Sequence, residues 1–254
     1  MILKVENSME LTILFEDKHI IVCEKPAGVP SQSDRGQDMD MVSRIKNYLR
    51  EKEPDLGVPY VAAVHRLDRP VGGIMVFAKT QKAAAGLSQQ IQKGQMRKQY
   101  LAVICGDYSQ ELGKEPKELC DYLKKDGRTN LSVIASEKDK QAKKARLAYK
   151  VLEITREMGK AENSIEASEN LSLLDIELFT GRHHQIRVQL SQNLAGIWGD
   201  TKYNAENCKG KGFQEIALYS WKLSFSHPIT GKKMSFEKVP QKYPFHCFKV
   251  LQEA

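Results

Sequence analysis

The sequence predicts an α+β protein, with a mixed, largely antiparallel sheet and flanking helices and loops. Short strand-like runs outnumber helical stripes, and brief turns join most of them. The glycine patterns of dinucleotide-binding and P-loop folds are absent. At 254 residues the chain suits one large domain or two small ones. No internal repeat, low-complexity tract or clear linker divides it, so a single domain over 1–254, with its core at about 12–240, is expected.

Thr12-Ile13-Leu14-Phe15 and His19-Ile20-Ile21-Val22-Cys23, parted by three charged residues, read as a β-hairpin. The prolines and glycine of Lys25-Pro26-Ala27-Gly28-Val29-Pro30 exclude regular structure. Asp38 or Asp40 can cap a helix to about residue 51, because Met41, Ile45 and Leu49 recur four apart; Pro54 and Gly57 end it. A strand over 60–64 feeds a charged loop and one over 74–78 leaves it, with Pro70, Gly72 and Gly73 making a sharp turn between them. Thr80 is the expected N-cap of a helix with the stripe Ala83, Leu87 and Ile91 and a stop at Gly94. Residues 97–105 read as a strand, closed by Gly106-Asp107.

From 107 to 144 the pattern weakens, with one strand expected at 131–135 and a basic run over 138–144. That run reads as a solvated loop or as a phosphate-contacting one. Strands at 145–154 and 171–179 read as antiparallel partners across an exposed connection over 156–170. Residues 181–194 suit a helix with Ile186, Leu190 and Leu194 on one face and Gly196 as terminator. Strands at 216–225 and 233–236, joined through His227-Pro228-Ile229-Thr230-Gly231, come last.

Lys and Arg number 39 against 32 Asp and Glu, a net +7 that favours a polyanionic partner, nucleic acid above all. The five cysteines, Cys23, Cys105, Cys120, Cys208 and Cys247, form no C-x-x-C pair, which argues against a disulfide framework or zinc site and for a reducing cytoplasm. Residues 1–8 carry charge and no long apolar stretch, and no run in the chain is long enough to span a bilayer. A soluble cytoplasmic protein without a membrane partner is expected.

His65-Arg66-Leu67-Asp68-Arg69 sets one carboxylate among two arginines and a histidine. A cation nearby lowers a carboxyl pKa by about one to three units, so Asp68 should stay ionised and suits a nucleophile or base better than an acid. A surface Arg/Asp cluster capping a strand has the same local pattern. The second basic motif is Gly181-Arg182-His183-His184-Gln185-Ile186-Arg187. On a helix Arg187 would lie one turn beyond the histidines. Basic groups at a helix start oppose the macrodipole, which an anionic partner would justify. Neighbouring histidines diverge on a helix and lack the spacing of helical zinc ligands, so no metal is expected. Tyr100 follows Arg97 and Lys98; its ring is either half-buried packing or a platform on which a base can stack.

In this order and spacing, these segments resemble the pseudouridine synthases of the RluA type. Lys25-Pro26-Ala27-Gly28 resembles the family's K-P-x-G segment, and His65-Arg66-Leu67-Asp68 with Ala78-Lys79 its H-R-L-D…A-K signature. Lys98-x-Tyr100-x-Ala102-x-x-x-Gly106, Gly181-Arg182-x-His184-Gln185-Ile186-Arg187 and Gly199-Asp200-x-x-Tyr203 match the motifs that follow. The resemblance implies the pseudouridine synthase catalytic fold, without the S4-like N-terminal RNA-binding domain of some members. It implies an isomerase that detaches a uridine base, turns it and rejoins it through carbon, with no cofactor or metal. Asp68 would be the catalytic aspartate, Tyr100 the aromatic side chain against the flipped base, and Arg187 the partner that keeps Asp68 ionised and aimed. Arg66 would help fill the gap in the RNA stack, and His65, Arg69, Arg182 and His184 join it as RNA-binding candidates. The implied partner is ribosomal or transfer RNA with the uridine in a loop or bulge, met by a monomer; DNA is not expected.

Three positions depart from the family pattern. Val71-Gly72 stands where Thr-Ser is common, Gln189 where histidine is frequent, and Tyr219 in a segment that usually carries histidine. These bear on subfamily and substrate. The rival reading is a non-catalytic RNA-binding or RNA-folding protein of the same fold. A carboxylate-dependent hydrolase would want a second acid near Asp68, where the sequence has arginines.

Overall fold

The computed structural model describes residues 11–32, 39–156, 170–208 and 215–253. Asp38, the stretch 1–8 and most of the 156–170 connection lie outside the described residues. Contacts group the chain into two units, Met1–Gln95 with Phe225–Phe236, and Met96–Ser224 with Glu237–Ala254. The class is α+β as expected, and each strand pairing described below is antiparallel.

In the first unit β1 (Ile13–Glu16) and β2 (Ile20–Lys25) form the expected hairpin. β2 and the short β3 (Ala62–Ala63) both pair with β4 (Gly72–Ala78), with Lys25 of β2 opposite Gly73. Only two residues of the strand expected over 60–64 are therefore paired. All of β4 is buried, which is why its apolar run shows no alternation. α1 (Met41–Lys52) begins at Asp40, whose Oδ1 accepts the Ser43 amide at 2.7 Å, and buries Met41, Ile45 and Leu49. α2 (Gln81–Gln92) is capped by Thr80 and buries Ala83 and Leu87.

The sharp turn expected at Pro70, Gly72 and Gly73 sits earlier. The Val71 amide donates to the Asp68 carbonyl at 3.0 Å and closes a turn over 68–71, while both glycines already lie inside β4. Gly73 has φ 124°, a conformation a side chain would oppose.

The second unit contains β5 (Arg97–Cys105), β6 (Lys117–Asp126), β7 (Leu131–Ile134), β8 (Lys143–Arg156) and β9 (Asn170–Leu178). β10 (Leu218–Ser226) pairs with β5 along 218–224, and across the sheet the order runs β10, β5, β9, β8, β6, β7. The β8–β9 partnership was expected; β6 was not. α3 (Gln185–Asn193) is shorter than the helix expected over 181–194, because 181–184 precede it. A one-turn α4 (Ala205–Cys208) follows, and β11 (Lys233–Glu237) comes after the turn at 227–232. Among the described residues no helix is long and apolar enough to cross a membrane.

Candidate active site

Asp68 stands half-buried on the loop between β3 and β4, with Arg66 and Arg69 exposed and His65 half-buried. Hydrogen bonds hold this loop from behind. Ser31 Oγ donates to the Leu67 carbonyl at 2.8 Å and accepts the Leu67 amide at 3.0 Å. The Gly28 amide donates to the Arg69 carbonyl at 2.8 Å, and Arg69 Nε returns a bond to the Gly28 carbonyl at 3.0 Å. His65 Nε2 accepts the Val76 amide at 3.2 Å, which ties the loop to β4.

Lys25 completes the support. Its side chain has no exposure, and Nζ donates to the carbonyls of Pro26 at 3.0 Å, Val29 at 2.6 Å and Arg69 at 3.1 Å. Three carbonyls meet the three N–H groups of one ammonium. Burial pushes Lys25 down to about 7, Asp68 acts against that shift, and Arg44 and Arg69 add to it. The segments 25–31 and 67–71 thus hold the carboxylate on a fixed base.

In the second unit Tyr100 lies within β5 at 5% exposure, opposite Ser220 on one side and Ile176 on the other. Lys98, on the same strand, is buried and pushed below its ordinary value by that burial. Arg187 sits in the first turn of α3 and is buried. Its Nε donates to Asp200 Oδ2 at 2.8 Å and its Nη2 to Asp200 Oδ1 at 2.6 Å, a fork-on-fork pair that fixes the guanidinium plane. Asp200 Oδ1 also accepts the amides of Lys202 at 2.9 Å and Tyr203 at 3.1 Å. The Arg187 guanidinium lies 5.2 Å from the Tyr203 ring centroid.

The Tyr203 hydroxyl accepts the Ser132 amide at 2.7 Å and lies 3.0 Å from His184 Nδ1. His184 is buried, with a left-handed φ of 52°. Burial first, and then the charges of Arg187, His183, Lys202 and Lys125, push it down to about 3, so the ring is neutral near pH 7. The divergence expected of neighbouring helical histidines does not occur. Both precede α3, and their rings stack at 3.8 Å with 25° between planes. No group of three or more metal-ligating side chains occurs among the described residues.

Ahead of α3, Arg182 is exposed, and its Nε donates to the Lys144 carbonyl at 2.9 Å. Gln185 Oε1 accepts the Thr180 hydroxyl at 2.7 Å and the Arg182 amide at 3.0 Å. Gln189, one of the departures from the family pattern, is buried and donates to Asp121 Oδ2 on β6 at 2.6 Å. Of the expected RNA contacts, Arg66, Arg69 and Arg182 offer exposed guanidinium groups, whereas His184 is enclosed. Lys25, Ser31, Asp200 and Tyr203 had no expected site role. For three of them the available signal was the K-P-A-G and G-D-x-x-Y segments.

A family described as RNA pseudouridylate synthase matches residues 19–192, a span that includes Lys25, Asp68, Tyr100 and Arg187. A Zymomonas mobilis protein named ribosomal large subunit pseudouridine synthase D is 30% identical over 244 residues, covering 92% of this chain and 71% of that protein. A Haemophilus ducreyi protein named tRNA pseudouridine synthase C is 28% identical over 239 residues, covering 89% of this chain and 90% of that protein. The solved human RNA Pseudouridylate Synthase Domain Containing 1 shares the fold, with a TM-score of 0.71 over 93% of this chain and 86% of that one at 19% identity. The chain belongs to the RNA pseudouridylate synthase family.

Proposed function

We propose that this chain isomerises uridine to pseudouridine in structured ribosomal or transfer RNA, with Asp68 as the catalytic carboxylate. The observation that carries the proposal is the support of Asp68, whose loop is bound at Leu67 by Ser31 and at Arg69 by Gly28 and Lys25. In the reaction the C1′–N1 bond breaks and a C1′–C5 bond forms, and the proton lost at C5 is matched by one gained at N1. Atoms balance within one nucleotide, so the chemistry calls for no co-reactant. A carboxylate that attacks a carbon or removes a proton must be ionised.

The roles that the resemblance gives Tyr100, against the base, and Arg187, beside the carboxylate, belong to the same proposal. So do RNA contacts through the exposed Arg66, Arg69 and Arg182, with His65 shaping the backbone beside the first two and His184 the backbone that follows the third. A single catalytic domain acting as a cytoplasmic monomer on RNA, not DNA, completes it. Asp68→Asn keeps the side chain's size and removes its charge. It should lower pseudouridine formation by a factor on the order of 10³. Pseudouridine mapped in total RNA should show a site that is lost without the gene and returns with the wild-type chain but not with the variant. Restoration by Asp68→Asn would remove the carboxylate from the mechanism, and a map unchanged by loss of the gene would remove the activity.

A further inference from the structure

The basic run over 138–144 has no part in this chemistry, yet it has a definite form. It joins β7 to β8 as a tight loop. The Asp139 amide donates to the Ser136 carbonyl at 3.0 Å, the Ala142 amide to the Asp139 carbonyl at 2.9 Å, and the Lys138 amide to Ser136 Oγ at 3.2 Å. Both acids of the loop are held by the sheet or by the loop itself. Glu137 accepts the Tyr122 hydroxyl from β6; Asp139 accepts Lys124 Nζ at 3.0 Å and the Gln141 amide at 2.9 Å.

The loop's cations face solvent. Lys138, Lys140, Lys143 and Lys144 are all exposed, and none has an ion-pair partner among the described residues. Arg182 continues the row, because its Nε is bonded to the Lys144 carbonyl and its guanidinium is exposed. Lys143 and Lys144 point to opposite sides of a strand, so the charges follow the rim of the loop and not one flat face. A fixed rim of five cations, whose own acids are engaged elsewhere, complements a chain of regularly spaced anions. A single small anion could meet only one or two of them.

We propose that Lys138, Lys140, Lys143, Lys144 and Arg182 form a docking rim for the phosphates of the RNA strand that flanks the target uridine. The proposal rests on the reading of the chain as an RNA-modifying enzyme. Each phosphate neutralised adds about 0.7 to 0.9 to the slope of log affinity against log salt. The full chain carrying K138Q/K140Q/K143Q/K144Q should bind a synthetic RNA hairpin with a slope shallower by about three, and at least tenfold more weakly near ~0.1 M salt. The corresponding four Lys→Arg changes should retain the wild-type slope. K82Q/K93Q/K232Q/K249Q removes four exposed lysines that likewise lack ion-pair partners, and should leave the slope nearly intact.

A slope unmoved by the loop variant, or lowered as much by the control, overturns the rim. So does dependence on the four lysines for phosphatidylserine vesicles but not for the hairpin. Binding is read without turnover. A chain that docks RNA through these lysines and forms no pseudouridine overturns the catalytic reading and leaves the rim standing; an active chain with an indifferent slope does the reverse.

Discussion

A lysine without exposed surface needs an acceptor for each N–H, and Lys25 finds them in three carbonyls, one of them on the Asp68 loop. Lys25→Met keeps the length of the side chain and leaves those carbonyls without their donor, a loss on the order of 2 kcal/mol where lysine is neutral. Burial lowers Lys25 from the ordinary 10.5 to about 7, so between those values the unfolded chain holds the extra proton. Stability of the wild type therefore rises with pH across that window, and the cost of burying the charge is fully present below its lower end. Lys25→Met lacks this titration. Denaturation at about pH 6 and about pH 9 should show its deficit against wild type widening at the higher value. A constant or shrinking deficit would mean that the lysine titrates normally. Asp68 and Arg187 were singled out as candidates because their charges stand out in local sequence. Lys25 and Asp200 were not, because their importance comes from burial and from partners such as Arg69 and Arg187 that local pattern does not reveal.

Elements were legible where the apolar spacing is itself what packs. α1 and α2 follow their stripes, and Asp40 and Thr80 cap them as expected. β6 escaped notice because it buries only Leu123 and is held by its register with β7 and β8, which a charged sequence such as KELCDYLKKD does not announce. α3 buries Gln185, Arg187 and Gln189 as well as its apolar residues, so its stripe could not mark where the helix begins; the left-handed His184 marks it. Packing also sets what α2 tolerates at Gly86. A Cβ there would lie 3.0 Å from Pro228 Cβ and 3.3 Å from the Pro228 carbonyl. Pro228 cannot retreat easily, because His227 is buried, accepts the amides of Ile229 at 3.3 Å and Thr230 at 3.1 Å on Nδ1, and donates from Nε2 to Asp17 at 2.8 Å. Helix propensity alone would make Gly86→Ala stabilising by about 1 kcal/mol. Crowding of about 1–3 kcal/mol should reverse the sign, leaving a net loss near 1 kcal/mol in urea denaturation. A more stable Gly86→Ala would show that the turn at Pro228 yields.

At the scale of the whole molecule, composition told of an excess of seven positive charges and the sequence of a basic run over 138–144, but only the fold brings Arg182 beside Lys144 and leaves the run's lysines exposed. The α+β class was legible because it depends on the tally and order of elements, which survives errors at single boundaries. The unity of the chain is a separate question. It passes between its two contact units three times, and β10 and β11 each contain residues of both. Both strands run across the boundary without a break in the chain, so a single unfolding transition is the expected outcome. Two buried cysteines can report on this. Cys23 lies in the first unit with no exposure, and burial followed by Glu24 pushes its thiol up to about 12; Cys105 lies in the second, at the end of β5. The thiolate is the reactive form, so Cys23 should be inert to iodoacetamide until the first unit opens. The exposed Cys120 should react in the native chain and serve as the reference. In rising urea, Cys23 and Cys105 should become reactive with coincident midpoints and equal slopes, as one cooperative domain requires. Two separated transitions would make the first unit a folding domain of its own, with the Asp68 loop able to open while the unit that carries Arg187 stays folded.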